Sequence, residues 1–151
     1  MEKTRRILIV DNDEDFLTRL QVLFEDCNYQ TTVAWGGREV LTELQSQRFD
    51  LILLGDYLPD VNCEEFWQDF GRLAGSASVA LLETNPPVEE MARQYHQAGG
   101  HCVLSKSAPH KIVEMVRGCL SSGENYQLSQ NDAPREQFHR HASAAAGQNA
   151  G

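Results

Sequence analysis

The chain has no long apolar run: stretches such as Ile7 to Val10 and Leu51 to Leu54 stop after four residues. A membrane span needs about 20 such residues and a signal-peptide core at least about 7, so both are excluded, whatever the cationic start at Lys3, Arg5 and Arg6. A cytoplasmic protein is expected. Cysteine is scarce as well. Cys27, Cys63, Cys102 and Cys119 stand far apart with no CxxC pair, which argues against a zinc site or a dithiol redox motif and leaves buried thiols in a reducing compartment. Positive charge is also short. Thirteen Lys and Arg face 22 Asp and Glu, and the net charge of -9 repels phosphate backbones and anionic lipid. No nucleic acid or membrane partner is expected. The histidines His96, His101 and His110 show no ligand spacing with cysteines or acids, and His139 and His141 pair only with each other.

What the chain does have is a regular alternation of strand and helix signals, and with 41% hydrophobic residues in 151 it can build one core of ordinary size. Ile7 to Val10 is a β-branched and Leu run suited to a strand covered on both faces. Asn12 or Asp13 can cap the next helix, whose apolar positions Phe16, Leu17, Leu20, Leu23, Phe24 and Cys27 recur every three or four residues. After a turn at Asn28, Tyr29 to Ala34 supplies a second strand, broken at Gly36-Gly37, and Val40, Leu41 and Leu44 mark a second helix.

Leu51 to Leu54 is the third strand, and Phe66, Trp67, Phe70 and Leu73 give a third helix closed by Gly75 and Ser76. Val79 to Leu82 reads as a fourth strand. Pro86-Pro87 suits the start of a helix carrying Val88, Met91, Ala92 and Tyr95, with Gly99 at its C-terminal cap. Cys102 to Leu104 is a short fifth strand, and Pro109 sits in the first turn of a helix with Ile112, Val113, Val116, Cys119 and Leu120 inward. Such alternation implies an α/β doubly wound parallel sheet with helices on both faces and ligands at the carboxyl ends of the strands. One folded domain over 1–121 is expected. Residues 122–151, rich in Ser, Asn, Gln, Ala and Gly, cannot bury enough surface to fold and are expected to form a disordered tail.

Ile7-Leu8-Ile9-Val10-Asp11-Asn12-Asp13, Ala34-Trp35-Gly36-Gly37-Arg38-Glu39-Val40-Leu41, Leu58-Pro59-Asp60, and Ala98-Gly99 followed by Leu104-Ser105-Lys106 follow one another over roughly residues 5 to 120. In order and spacing this set resembles the response-regulator receiver domains, CheY-like modules of two-component signalling. The resemblance implies a flavodoxin-like five-stranded sheet of order 2-1-3-4-5 and an aspartate that accepts a phosphoryl group from a histidine kinase. A flavodoxin-type cofactor binder is the weaker reading, because Asp11-Asn12-Asp13 would repel phosphate where such a protein needs a cradle.

The family's phosphotransfer needs a carboxylate nucleophile, a divalent cation, and a Lys and a hydroxyl to hold the phosphoryl oxygens. Matched residue by residue, Asp11 is the first acid of the family's metal-binding pair, but Asn12 takes the place of its main carboxylate. The acceptor position, four before Pro59, is Gly55, which has no side chain to phosphorylate. Lys106 is retained. Ser107 replaces the following Pro, and a cis bond before Ser costs about 3 kcal/mol, so the Lys106 loop should differ from the family's. Cys63 replaces a turn Gly, Val103 replaces the switch aromatic, and the hydroxyl position falls on Thr84 or Glu83 depending on the alignment.

A degenerate phosphorylation pocket of Asp11, Asn12, Gly55, Asp56, Thr84 and Lys106 is therefore expected, in a pseudo-receiver that is not an enzyme and holds no cofactor. Asp11 and Asp13 are weak metal candidates that serve equally as helix-capping acids. Lys106 can pair with Asp11 or receive an anion. The alternative is magnesium-assisted phosphorylation at Asp56, which needs a bulge, since an offset of one residue turns a side chain to the opposite face of the strand. Otherwise Asp56 is a turn-forming or solvent-facing acid. Trp35 and Tyr57 lie next to strand ends, where they can be exposed to a partner, but partial burial against Gly-rich loops is the expectation. By family resemblance, partners such as a histidine kinase or an output protein, or a second copy in a homodimer, would dock on the helix 4, strand 5, helix 5 face, including Met91, Tyr95, Val103 and Ile112.

Overall fold

A computed structural model of the chain describes residues 4–61 and 64–121. Along them strands and helices alternate without exception: β1 (Arg6–Val10), α1 (Glu14–Glu25), β2 (Gln30–Ala34), α2 (Gly37–Ser46), β3 (Leu51–Gly55), α3 (Glu64–Ala74), β4 (Ser78–Glu83), α4 (Glu89–Gln97), β5 (Val103–Ser105) and α5 (Pro109–Ser121). All strand pairings are parallel, in the order β2-β1-β3-β4-β5. This is the five-stranded receiver-type sheet that the motif order implied. Among the described residues no helix is long and apolar enough to cross a membrane.

The unalternated apolar runs have a direct cause. Ile7 to Val10 and all of β3 are buried, because β1 and β3 lie inside the sheet and both faces are covered. Alternate residues point to opposite faces. Leu8, Val10, Ile52 and Leu54 pack on α2, α3 and α4, with Phe66, Trp67, Phe70 and Tyr95. Ile7, Ile9, Leu51 and Leu53 pack on α1 and α5, with Leu17, Leu20, Ile112 and Val116.

That division corrects the docking face expected from the sequence. Met91, Tyr95 and Ile112 are 4%, 0% and 2% exposed, so they are core residues and not surface contacts. Met91 and Tyr95 are the inward positions of an amphipathic helix on one side of the sheet, and Ile112 plays the same part on the other. Val103 alone of the four is half-buried. The Tyr95 hydroxyl donates to the Cys102 carbonyl at 2.8 Å, and its ring lies where a Cβ on Gly100 would be 2.4 Å away. Burial raises the Tyr95 pKa well above the usual tyrosine value, so the group stays a neutral donor.

Several boundaries differ from the sequence reading, those of β1 to β4 by a single residue at one or both ends, and two more concern β5 and α4. Strand β5 runs from Val103 to Ser105, one residue later than expected, although the Cys102 carbonyl still accepts from Leu81 N at 2.9 Å. Pro86-Pro87 does not open α4. The Asn85-Pro86 bond is cis, Val88 is the N-cap, and the helix starts at Glu89. Cys63 and the expected tail at 122–151 lie outside the described residues.

Candidate functional site

The β1, β3 and β5 ends bring Asp11, Gly55 and Lys106 together at the carboxyl edge of the sheet. Asp11 is 1% exposed, and its backbone N–H continues the sheet by donating to the Ala34 carbonyl at 3.1 Å. Its Oδ1 accepts from the Asp13 amide at 2.9 Å, and its Oδ2 lies 2.8 Å from Lys106 Nζ. Lys106 is itself largely buried, with its ammonium 4.6 Å from the centre of the Phe16 ring. Two opposite charges taken out of water thus compensate each other inside an apolar wall.

Gly55 explains why Asp11 can lie there. A Cβ on Gly55 would stand 2.3 Å from Asp11 Oδ2 and 2.9 Å from both Asp11 Cγ and the Val10 carbonyl oxygen. No real Cβ tolerates 2.3 Å, so the Asp11 carboxylate fills the space that a side chain at position 55 would need. Asn12 and Asp13 are exposed, and the Asp13 carboxylate caps α1 by accepting from Phe16 N at 3.2 Å. Among the described residues no three His, Cys, Asp or Glu side chains form a metal-binding group.

Asp56 follows a strand that stays in regular register through Gly55 opposite Leu82, without a bulge. It is 0% exposed, which overturns the solvent-facing reading. Its Oδ2 accepts from Thr84 N at 2.9 Å, Thr84 Oγ1 at 3.0 Å and Val88 N at 3.1 Å, while Oδ1 has no hydrogen-bond partner among the described residues. The acid therefore ties the end of β3 to the β4–α4 loop. Of Thr84 and Glu83, Thr84 brings its hydroxyl to this strand end, and its single proton is shared between Asp56 Oδ2 and the Pro86 carbonyl, 2.9 Å away. Glu83 stays in the sheet opposite Ser105.

Around this centre, Lys106 N donates to the Glu83 carbonyl at 2.9 Å, and the Lys106–Ser107 bond is trans. The Ser107 amide donates to Ser105 Oγ at 3.1 Å, giving the loop its own closure. Asp60 accepts from Gly37 N at 2.8 Å and Arg38 N at 3.0 Å, so it caps α2 from a distant loop. Partial burial works to raise the Asp60 pKa, but the amides of Gly37, Arg38 and Asp60 itself, together with the Arg38 charge, outweigh it and hold the carboxyl below its ordinary value. Trp35 and Tyr57 are 43% and 53% exposed, more open than expected from their Gly-rich surroundings.

Three contributors were not read from the sequence: Phe16 beneath Lys106, the Val88 amide on Asp56, and Asp60 at the start of α2. None of the three had a visible signal, since each acts on a residue distant along the chain.

The response regulator receiver domain model matches residues 7–117. The chain belongs to this family, the receiver module of two-component signalling. It is similar to the DNA-binding response regulator MtrA of Mycolicibacterium smegmatis, 25% identical over 125 residues, which covers 80% of this chain and 53% of that protein. A shorter match of 57 residues is 39% identical to the CAI-1 autoinducer sensor kinase/phosphatase CqsS of Vibrio cholerae, covering 38% of this chain and 8% of that one. The chain thus spans about half, or less, of these curated relatives. Among solved structures, a CheY-like response regulator receiver domain protein from Methanospirillum hungatei superposes with a TM-score of 0.68 at 23% identity, covering 80% of this chain and 96% of that one. The signal receiver domain of an HD domain-containing protein from Pseudomonas fluorescens gives 0.68 at 24%, covering 81% and 90%. Both likenesses concern the fold.

Proposed function

We propose that this chain is an atypical receiver that signals through protein-protein contacts, without cycling through an aspartyl phosphate and without acting as an enzyme. The observation that carries this reading is the Asp11 carboxylate lodged where a side chain at Gly55 would stand. A receiver nucleophile at position 55 and Asp11 in its present place are mutually exclusive. The groups that would hold phosphoryl oxygens are also engaged, Lys106 by Asp11 and the Thr84 hydroxyl by Asp56.

The residues present do not fit the magnesium site that the fold family implies. A hard dication needs several oxygen ligands, preferably charged. Here Asp11 already carries a Lys counter-ion and a backbone donor, Asn12 offers an uncharged amide at the surface, and Gly55 offers no ligand. Asp13, the other candidate, is used as a helix cap. The reading therefore involves no cofactor.

In this reading the receiver unit extends over 1–121 and works in the cytoplasm, where its partner is a signalling protein such as a histidine kinase or an output protein. The face of α4, β5 and α5 is the proposed docking surface, for that partner or for a second copy, carried by outward residues around Val103 and not by the buried trio. Intact mass spectrometry after treatment with acetyl phosphate and magnesium tests the central point. An unchanged mass is expected. A phosphoryl adduct on Asp56 that disappears in Asp56→Asn would overturn it in favour of transfer to Asp56 assisted by Asp11, Thr84 and Lys106.

A further inference from the structure

The carboxylate of Asp56 is fully buried, yet among the described residues no cation is bonded to it. All of its hydrogen bonding converges on one oxygen and runs to one segment, Thr84 to Val88. Val88 is the N-cap of α4, so the negative group sits at the positive end of that helix as well as on the loop that leads into it. Further along, α4 is joined to its neighbours by Gln94, whose Oε1 accepts from Trp67 Nε1 at 2.9 Å, and by the buried Tyr95 hydroxyl on Cys102. The helix is thus pinned at its start by Asp56 and along its length by contacts to α3 and to Cys102, the residue before β5.

We infer that Asp56 is a built-in latch: it fixes the β4–α4 loop and the start of α4, so that the α4 side of the domain is presented in one arrangement without any covalent signal. The inference rests on the non-phosphorylated reading, because it assigns to a resident carboxylate the hydroxyl that a phosphoryl group would otherwise engage. Removing the carboxylate leaves the Thr84 and Val88 amides without their acceptor, and a buried amide without an acceptor opens the local structure until it finds water. Losing the Thr84 hydroxyl weakens the same junction while keeping the acid.

The two tryptophans make the test direct. Trp67 is buried and bonded to α4, whereas Trp35 is exposed beyond the end of β2, the opposite edge of the sheet, so their indole N–H resonances report α4 and a reference site separately. In the untreated full chain, Asp56→Ala is expected to speed exchange of the Thr84 and Val88 amides about tenfold or more. It should also shift the Trp67 indole signal while leaving that of Trp35 in place. Unchanged exchange and an unshifted Trp67 signal would overturn the latch. Should Asp56→Ala fail to fold, Thr84→Val is measured instead: faster Val88 exchange, returned toward wild type by Thr84→Ser, supports the latch, and unaltered exchange overturns it. A phosphoryl adduct under acetyl phosphate would break the functional reading alone, since the exchange experiment uses no phosphodonor.

Discussion

Asp11 and Asp56 are both buried carboxylates at neighbouring strand ends, but they are stabilised by different means. Asp11 faces a cation, Lys106 Nζ at 2.8 Å, backed by the Phe16 ring. Asp56 has only neutral donors, two amides and a hydroxyl, all on one oxygen. The first arrangement fills a pocket and the second fastens a loop. The contrast shows how moving an acid by one residue along the end of β3 changes what it can reach. Position 55 opens toward Asp11 and Lys106, whereas position 56 reaches β4 and α4.

Substitutions at the two sites should separate these modes. Lys106→Met leaves the Asp11 charge buried and uncompensated, and chemical denaturation should show the largest loss, about 3–5 kcal/mol. Asp56→Ala strands two amide donors but no opposing charge, the Thr84 hydroxyl keeping the Pro86 carbonyl, so a smaller loss of about 2–3 kcal/mol is expected by the same measurement. Equal losses would mean that the ion pair and the amide cluster do not differ in kind. Gly55→Ala forces a Cβ onto the Asp11 carboxylate and should cost about 1–3 kcal/mol, the usual range for overpacking.

The smallest effect belongs to Asp60, an exposed acid that caps α2. Asp60→Asn should cost at most about 1 kcal/mol at neutral pH. Because the folded carboxyl is held below its ordinary value, its contribution is fully present above the ordinary carboxylate range and is lost as pH falls through the depressed pKa. Wild type and Asp60→Asn should therefore converge in stability in strong acid, which a denaturation series across pH would check. A difference that persists there would assign the cost to something other than the carboxylate charge.

The alternation of strands and helices was legible because buried β1 and β3 read as unbroken apolar runs and because the turn signals Asn28 and Gly75 adopt positive φ where helices end, whereas the strand order came from the family resemblance. The loss of a side chain at position 55 was equally plain. The site's internal wiring was not. Asp56 finds Thr84 28 residues away, and Asp60 finds Gly37 23 residues away, separations at which pattern and spacing carry no contact information. The inward turn of Met91 and Tyr95 was available in principle, since their spacing of four places both on one helix stripe, but a family's docking face does not say which stripe faces water.

The central claim is that Asp11 occupies the space beside Gly55, and a double-mutant cycle addresses that contact directly. Denaturation free energies would be measured for wild type, Gly55→Ala, Asp11→Ala and the double variant. If the carboxylate is the obstacle, adding the Gly55→Ala methyl in the Asp11→Ala background should cost less than half of what it costs in wild type, the remainder coming from the Val10 carbonyl. The same cost in both backgrounds would contradict the claim.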